Sequence, residues 1–420
     1  MTIRITKLDN GIHVITDAMD TVETASVGAW IAVGARHEHP EINGVSHLIE
    51  HMVFKGTERR TAKQIVEEIE AVGGQINAYT SRENTAFFAK VLRNDVALAL
   101  DIVADIVQHA TFDAEELERE RQVILQEISQ ANDTPDDIIF DHFNEAAYPG
   151  QSVGRSVLGP AEIIASMPRE TAIGYMRAEY LAPRIVVSAA GRVDHDRFVE
   201  LADEALTDVP AGGQASAERP RYKGSERREE RELEQAHIIV GFDGFAYDDP
   251  DYHALAVYSM LLGGGMSSRL FQEAREKRGL VYSIYSFAQS YDDGGLFGIY
   301  AGTGERETAE LIPLIAREMI GVTEGVSADE VQRARAQLKA STLMALESTS
   351  ARAEQAARQF QIYGRTIPVE ETIARIDAVD EAAVEHVARR MIASPLTLAA
   401  IGPVGGLEPY ERVAARFAAG

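Results

Sequence analysis

His47-Leu48-Ile49-Glu50-His51 concentrates more potential chemistry than any other stretch of the chain. Two imidazoles four residues apart fall on one face of a helix, a turn from each other, which is the reach that two ligands of one Zn²⁺ need. Glu50 stands one residue before the second histidine, close enough to act on a water at the metal without binding the metal. The order His-x-x-Glu-His is the reverse of the commoner H-E-x-x-H motif of zinc proteases. The competing reading is two surface histidines on an amphipathic helix.

A tetrahedral catalytic zinc takes three protein ligands and keeps a fourth position open. A long acidic helix is expected from about Phe112 to Ala131, with Asp113, Glu115 and Glu116 in its first turn. On it Glu120 and Glu127 lie two turns apart and share a face. Leu117, Ile124 and Ile128 mark a buried stripe around them, so that face points inward, where a carboxylate is costly unless paired or metal-bound. Taken singly, each glutamate reads as one of the many solvated carboxylates of an acidic chain.

His47, Glu50 and His51, with Glu127 following 76 residues after His51, resemble the pitrilysin/insulinase family of inverted-motif zinc peptidases. Gly44-Val45-Ser46 before the motif, Phe54-Lys55-Gly56-Thr57 after it, and Gly73-Gly74-Gln75-Ile76-Asn77-Ala78-Tyr79-Thr80 carry the same resemblance. It covers essentially the whole chain and runs nearest to the bacterial processing peptidases and the β subunit of the mitochondrial processing peptidase. The resemblance implies one Zn²⁺ per chain, held by His47, His51 and Glu127, with Glu50 as general base and Glu120 as a carboxylate behind the ligands. It also implies that Arg275 and Tyr282 hydrogen-bond substrate carbonyls around the cleaved bond, as an oxyanion-type donor and a backbone clamp. Asn77, Ala78, Tyr79 and Thr80 would form an edge strand pairing with an extended peptide. Asp137 and Asp141 would read a basic residue near the cut. Gly263-Gly264-Gly265-Met266-Ser267-Ser268 is similar to the glycine-rich loop of the family's second subunit, and the absence of a lysine after the last glycine argues against a phosphate loop.

The rest of the composition narrows the class. The chain has 420 residues, 45% hydrophobic and 25% charged, which suits a globular protein of two or more domains. It contains no cysteine, so zinc must be held by nitrogen and oxygen donors and disulfides are excluded. A net charge of -25 argues against nucleic acid and favours basic ligands. No run of eighteen apolar residues predicts a membrane span, and Met1 to Lys7 enters strand-like alternation without an apolar signal core. The compartment read from this is a bacterial-type cytoplasm.

The elements that must position these residues occur twice. Pro183 to Gly191 recurs as Pro395 to Gly402, and Phe112 to Leu117 recurs as Val326 to Val331, at an offset of about 210 residues. The expected fold class is α+β, with two structurally related domains from an internal duplication, each a mostly antiparallel sheet packed with helices. Residues 1–209 would be the zinc domain, 210–224 a small, turn-rich linker and 225–420 a related domain without metal, carrying the Arg275/Tyr282 pair. Ile3 to Ile15 reads as two strands joined at Asp9-Asn10-Gly11, Thr24 to Ala35 and Thr85 to Leu92 as strands, and 95–109, 112–131 and 136–147 as helices.

Superposing the two halves by sequence sets Val257, Met260 and Leu261 opposite His47, Glu50 and His51. It sets Ala334 and Ser341 opposite Glu120 and Glu127. The second copy keeps the packing positions and has none of the donors, so packing alone does not call for them. The leading reading is a zinc endopeptidase acting on peptides or presequence-like segments within a homodimer chamber. Its rivals are the catalytic subunit of a heterodimeric processing peptidase and a non-catalytic scaffold of the same fold.

Overall fold

The first hairpin closes where Asp9-Asn10-Gly11 places it. Gly11 takes φ 102°, open to glycine at little steric cost, and the Leu8 amide donates to the Ile12 carbonyl at 2.9 Å. In the computed structural model, which describes residues 3–418, the first half of the chain supplies strands β1 (Ile3–Lys7), β2 (His13–Ala18) and β3 (Thr24–Ile31) and helices α1 (Val45–Val53) and α2 (Ala62–Ala71). Strands β4 (Gln75–Thr80) and β5 (Thr85–Leu92) follow, then helices α3 (Val96–His109), α4 (Ala114–Asn132), α5 (Pro135–Ala147), α6 (Ala161–Ser166) and α7 (Arg169–Glu179). Strand β6 (Ile185–Gly191) and helix α8 (His195–Ala205) complete it. The second half supplies β7 (Glu226–Glu230), β8 (Ala236–Asp243), α9 (Tyr252–Gly263), β9 (Val281–Tyr291) and β10 (Gly294–Thr303). Helices α10 (Thr308–Glu324), α11 (Ala328–Ala345), α12 (Thr349–Tyr363), α13 (Val369–Asp377) and α14 (Glu381–Ala393) precede β11 (Thr397–Gly402) and α15 (Tyr410–Phe417). No helix among the described residues is long and apolar enough to cross a membrane.

The duplication is visible in the strand order. One sheet runs β1-β2-β6-β3-β5-β4 and the other β7-β11-β8-β10-β9. Apart from β1, which has no counterpart, the second order repeats the first strand for strand. The single parallel pair of each sheet also corresponds, β2 with β6 and β7 with β11, and every other pairing is antiparallel.

The units differ from the expected 1–209 and 225–420 in two segments. One unit gathers residues up to 129, 155–218 and 344–367; the other gathers 130–154, 219–343 and everything from 368 on. Each sheet packs one face against helices of its own half and the other against a helix from the opposite half. α5 lays Ile139, Phe143 and Ala147 onto Ile239, Leu296 and Ile401 of the second sheet. α12 lays Ala353, Ala356 and Ala357 onto Ile15, Trp30 and Val186 of the first. With both faces covered, β3 and β6 are buried almost end to end rather than in alternation. Polar contacts fix α12 in register: Arg352 meets the buried Asp17 at 2.9 Å, Ser26 meets Thr349 at 2.9 Å, and Gln361 donates to the Trp30 carbonyl at 2.9 Å.

The expected linker is partly anchored. Residues 206–225 contain no helix or strand, yet Ala182 donates to the Pro210 carbonyl at 2.9 Å and Arg184 to the Gly213 carbonyl at 2.8 Å. Residues up to 218 therefore belong with the first unit.

Candidate metal centre

Helix α1 is amphipathic in a way that separates packing from chemistry. Val45, Leu48, Ile49, Met52 and Val53 are buried, while His47, Glu50 and His51 share the remaining, half-buried face. Its N-terminus is capped from outside the helix. Gly44 sits at φ 94°, where a Cβ would also lie 2.7 Å from the Leu158 carbonyl oxygen. The buried Glu38 carboxylate accepts from the Gly44 amide at 2.7 Å, the Ser46 amide at 2.8 Å and the Asn43 side chain at 2.8 Å. A carboxylate there satisfies orphan amides and complements the helix dipole. Burial pushes the Glu38 pKa up, and these hydrogen bonds oppose the shift.

α4 brings in the third donor. The Glu127 Oε2 lies 3.7 Å from His47 Nε2 and 3.4 Å from His51 Nε2, and the two imidazole rings meet at 71° with centroids 4.7 Å apart. One ligand atom from each of the three residues falls within 4.8 Å of the others. Ligands of a tetrahedral zinc at ordinary bond lengths stand about 3.3–3.6 Å apart, so the two histidine–Glu127 separations, 3.7 and 3.4 Å, suit this metal. The His47 pKa is lowered to about 4, by burial first and by the neighbouring His51 second. That keeps the imidazole neutral, the form that binds metal.

Behind the donors lies a chain of charged contacts. Glu120, two turns before Glu127, places Oε2 3.0 Å from His51 Nδ1 and Oε1 2.6 Å from Lys55 Nζ. A proton on Nδ1 donated to Glu120 leaves the Nε2 lone pair facing Glu127. The lysine offsets the charge of the buried carboxylate. His47 has no such support, its Nδ1 being buried without a partner among the described residues. Glu50 is held from β4, where the Thr80 hydroxyl donates to its Oε2 at 2.6 Å. Burial raises the Glu50 pKa, while the Thr80 hydrogen bond and the nearby His51 oppose the rise.

The remaining expected residues fall into separate groups. Asn77, Ala78 and Tyr79 lie on β4, the edge of the first sheet, paired on one side with Phe88, Phe87 and Ala86. Arg275 and Tyr282 meet in the second unit, the guanidinium carbon 5.5 Å from the Tyr282 ring centroid and 5.0 Å from that of Phe271. Arg275 stands in a π-helical turn, Phe271–Glu276, a distortion that recurs at functional sites. Tyr282, 73% exposed, is the second residue of the edge strand β9. Asp137 and Asp141 lie on α5, and so in the unit of Arg275 and Tyr282 rather than that of His47. Sequence alone does not show that Lys55 pairs with Glu120 or that Thr80 holds Glu50. Both lie in stretches that carry the resemblance, and their distances to Glu120 and Glu50 are the signal that distinguishes them.

Comparison with known proteins bears on these groups. Residues 13–161 match the model described as insulinase (peptidase family M16), and 166–338 match that described as the peptidase M16 inactive domain. The chain belongs to the insulinase family of peptidases. It is 37% identical over 400 residues to the uncharacterized zinc protease YmxG of Bacillus subtilis, covering 95% of this chain and 98% of that one. It is 40% identical over 425 residues to a probable mitochondrial-processing peptidase subunit beta of Arabidopsis thaliana, covering 97% of this chain and 80% of that one. Among solved structures, a protease from Helicobacter pylori matches with a TM-score of 0.89 at 21% identity, over 96% of this chain and 99% of that one. A chain of complex III from Candida albicans matches with the same TM-score and identity, over 99% of this chain and 100% of that one. These two likenesses establish the α+β fold.

Proposed function

We propose that the chain is a zinc-dependent endopeptidase that hydrolyses peptides and presequence-like unfolded segments. His47, His51 and Glu127 would hold the metal, and Glu50 would serve as general base. The convergence of these three donors, with Glu50 on the same face of α1, carries the reading in a chain of this peptidase family. Bound there, zinc would supply Lewis acidity, activating water and polarising the scissile carbonyl. Glu50 takes the proton from the attacking water and delivers it to the leaving amine. Glu120, paired with Lys55, holds the His51 ring in the ligating orientation. The free edge of β4 at Asn77–Tyr79 pairs with the substrate backbone, which gives affinity with little demand on sequence. Arg275 and Tyr282 donate to substrate carbonyls, and Asp137 with Asp141 favours basic residues near the cut. Digestion of a broad peptide mixture by the zinc-loaded chain, read by mass spectrometry, tests the activity. Internal cleavages abolished by a chelator are expected, and an intact mixture would refute it.

We further propose a homodimer in which the zinc unit of one chain works with the Arg275/Tyr282 unit of the other, since this chain carries both sets. The Arabidopsis relative is a subunit beta, which supports the second reading, a heterodimer. Mixing inactive Glu50→Gln and Tyr282→Phe chains distinguishes shared sites from sites within one chain. Random exchange makes about half of the dimers mixed and restores roughly a quarter of all sites. No recovery after verified exchange would reject the shared site.

A further inference from the structure

Thr80 ends the edge strand β4, and side chains along a strand alternate between its faces. Tyr79 turns to one face, where its hydroxyl donates to Glu354 Oε1 of α12 at 2.8 Å. Thr80 turns to the other and donates to Glu50 Oε2 at 2.6 Å. The turn that follows is clamped. Ser81 donates to the Asn84 carbonyl at 2.7 Å, Ala35 to the Ser81 carbonyl at 3.0 Å and Arg36 to the Arg82 carbonyl at 2.8 Å. The buried Arg36–Glu83 ion pair at 2.5 Å locks the same turn. Gly34 allows this approach, because a Cβ there would stand 2.3 Å from the Ser81 carbonyl oxygen. The hydroxyl of Thr80 is thus carried on backbone fixed from the turn and, through Tyr79, from α12.

We propose that Thr80 is the positioning residue that aims the general base. By engaging Oε2, beside the Thr80 backbone N–H that also donates to this carboxylate, the hydroxyl restricts rotation of the Glu50 carboxylate and so sets how it meets the proton. This rests on the reading of Glu50 as base. A base must reach its proton at about 2.6–3.2 Å, and misplacement by about 1 Å can cost on the order of 100-fold in rate. A glutamate on one turn of helix has three rotatable bonds between backbone and carboxylate, so an anchor from a second element decides where the oxygens lie. Threonine suits the task because branching at Cβ stiffens χ1.

The test compares zinc-loaded wild type, Thr80→Val, Thr80→Ser, Glu50→Gln and the Glu50→Gln/Thr80→Val double variant on one internally quenched peptide that the wild type cleaves. Metal content and chelator competition for zinc are measured on the same samples. Thr80→Val keeps shape and branching but removes the donor. It should lower kcat by about 10- to 100-fold with KM within about twofold, while zinc content and affinity stay at wild-type values. Thr80→Ser should return kcat to within about threefold of wild type, and Thr80→Val should add less than about twofold to the loss in the Glu50→Gln background. Wild-type kcat in Thr80→Val, an undiminished further loss in the Glu50→Gln background, weakened zinc binding, or no restoration by serine would each overturn the proposal. If Thr80→Val does not fold, Thr80→Ala is judged by the same criteria. A fully active Glu50→Gln would sink the base reading itself, whereas an active Thr80→Val beside an inactive Glu50→Gln sinks this inference alone.

Discussion

Helices α1 and α9 occupy matching places in two copies of one fold, and they have been filled by opposite rules. Where α1 carries His47, Glu50 and His51, α9 carries Val257, Met260 and Leu261, with Val257 and Leu261 buried. The long helices repeat the contrast. Ala334 is buried in α11 at the place of Glu120, which is also buried but is tied to His51 and Lys55. An apolar group at such a position needs no partner, whereas a buried carboxylate or imidazole does. The second copy shows how the same places are filled by packing alone. Specialisation also runs the other way. The regular, capped helix α2 has no equivalent of the π-helical turn that sets Arg275 beside Tyr282 in the second unit.

The largest expected effect comes from removing the base while leaving the donors. Glu50→Gln should cost about 10²- to 10⁴-fold in peptide hydrolysis with zinc still bound. Met260→Gln, at the matched place in α9, should leave the chemical step unchanged. Steady-state kinetics on the two variants, with metal analysis, reads the contrast, and equal losses would erase it.

A smaller effect is expected one contact further out. Lys55→Met leaves the buried Glu120 carboxylate without its cation and should weaken zinc binding by about 10- to 100-fold, with substantial return in Lys55→Arg. Competition against a chromogenic chelator measures this; unchanged affinity would mean that Glu120 orients His51 unaided.

Metal removal should destabilise the first unit selectively. Zinc at about 100 times its Kd adds about 2.7 kcal/mol to the state that binds it. Amide exchange on addition of a chelator should therefore quicken in α1 and α4 and stay unchanged in α9 and α11. A uniform change across both units would show that the two copies do not differ in this way.

The smallest effect concerns selectivity. Solvent-facing charge pairs contribute up to about 1 kcal/mol. Asp137→Asn with Asp141→Asn should therefore reduce any enrichment of basic residues near the cleavage site by about fivefold or less, read from peptide-library cleavage maps.

Much of this arrangement is legible in the sequence. The His47–His51 spacing, the Asp9-Asn10-Gly11 turn and the apolar stripe of α4 are local patterns, and local periodicity determines which face an element buries. It does not determine which sheet receives that face. The stripe of α5 identifies a helix, yet α5 covers the sheet of the opposite half, as α12 does in return, a consequence of chain path that no local pattern encodes. Asp137 and Asp141 moved to the second unit for that reason. Nothing in the sequence signals that Thr80 and Lys55 hold Glu50 and Glu120, because a threonine in a strand and a lysine in a turn are ordinary. Only distances of 2.6 Å to Glu50 and to Glu120 set them apart. The π-helical turn at Arg275 likewise has no periodic signature, being a single insertion into helical spacing.

The central claim is that one of two duplicated helix pairs holds a metal and the other does not, and zinc stoichiometry tests it most directly. Purified chain dialysed against buffered zinc and analysed by mass spectrometry should hold one equivalent. His51→Ala and Glu127→Gln should each fall well below one equivalent under the same buffering, while Leu261→Ala and Ser341→Ala, at the matched places of the second copy, should retain the full equivalent. Full zinc occupancy in both His51→Ala and Glu127→Gln would contradict the account.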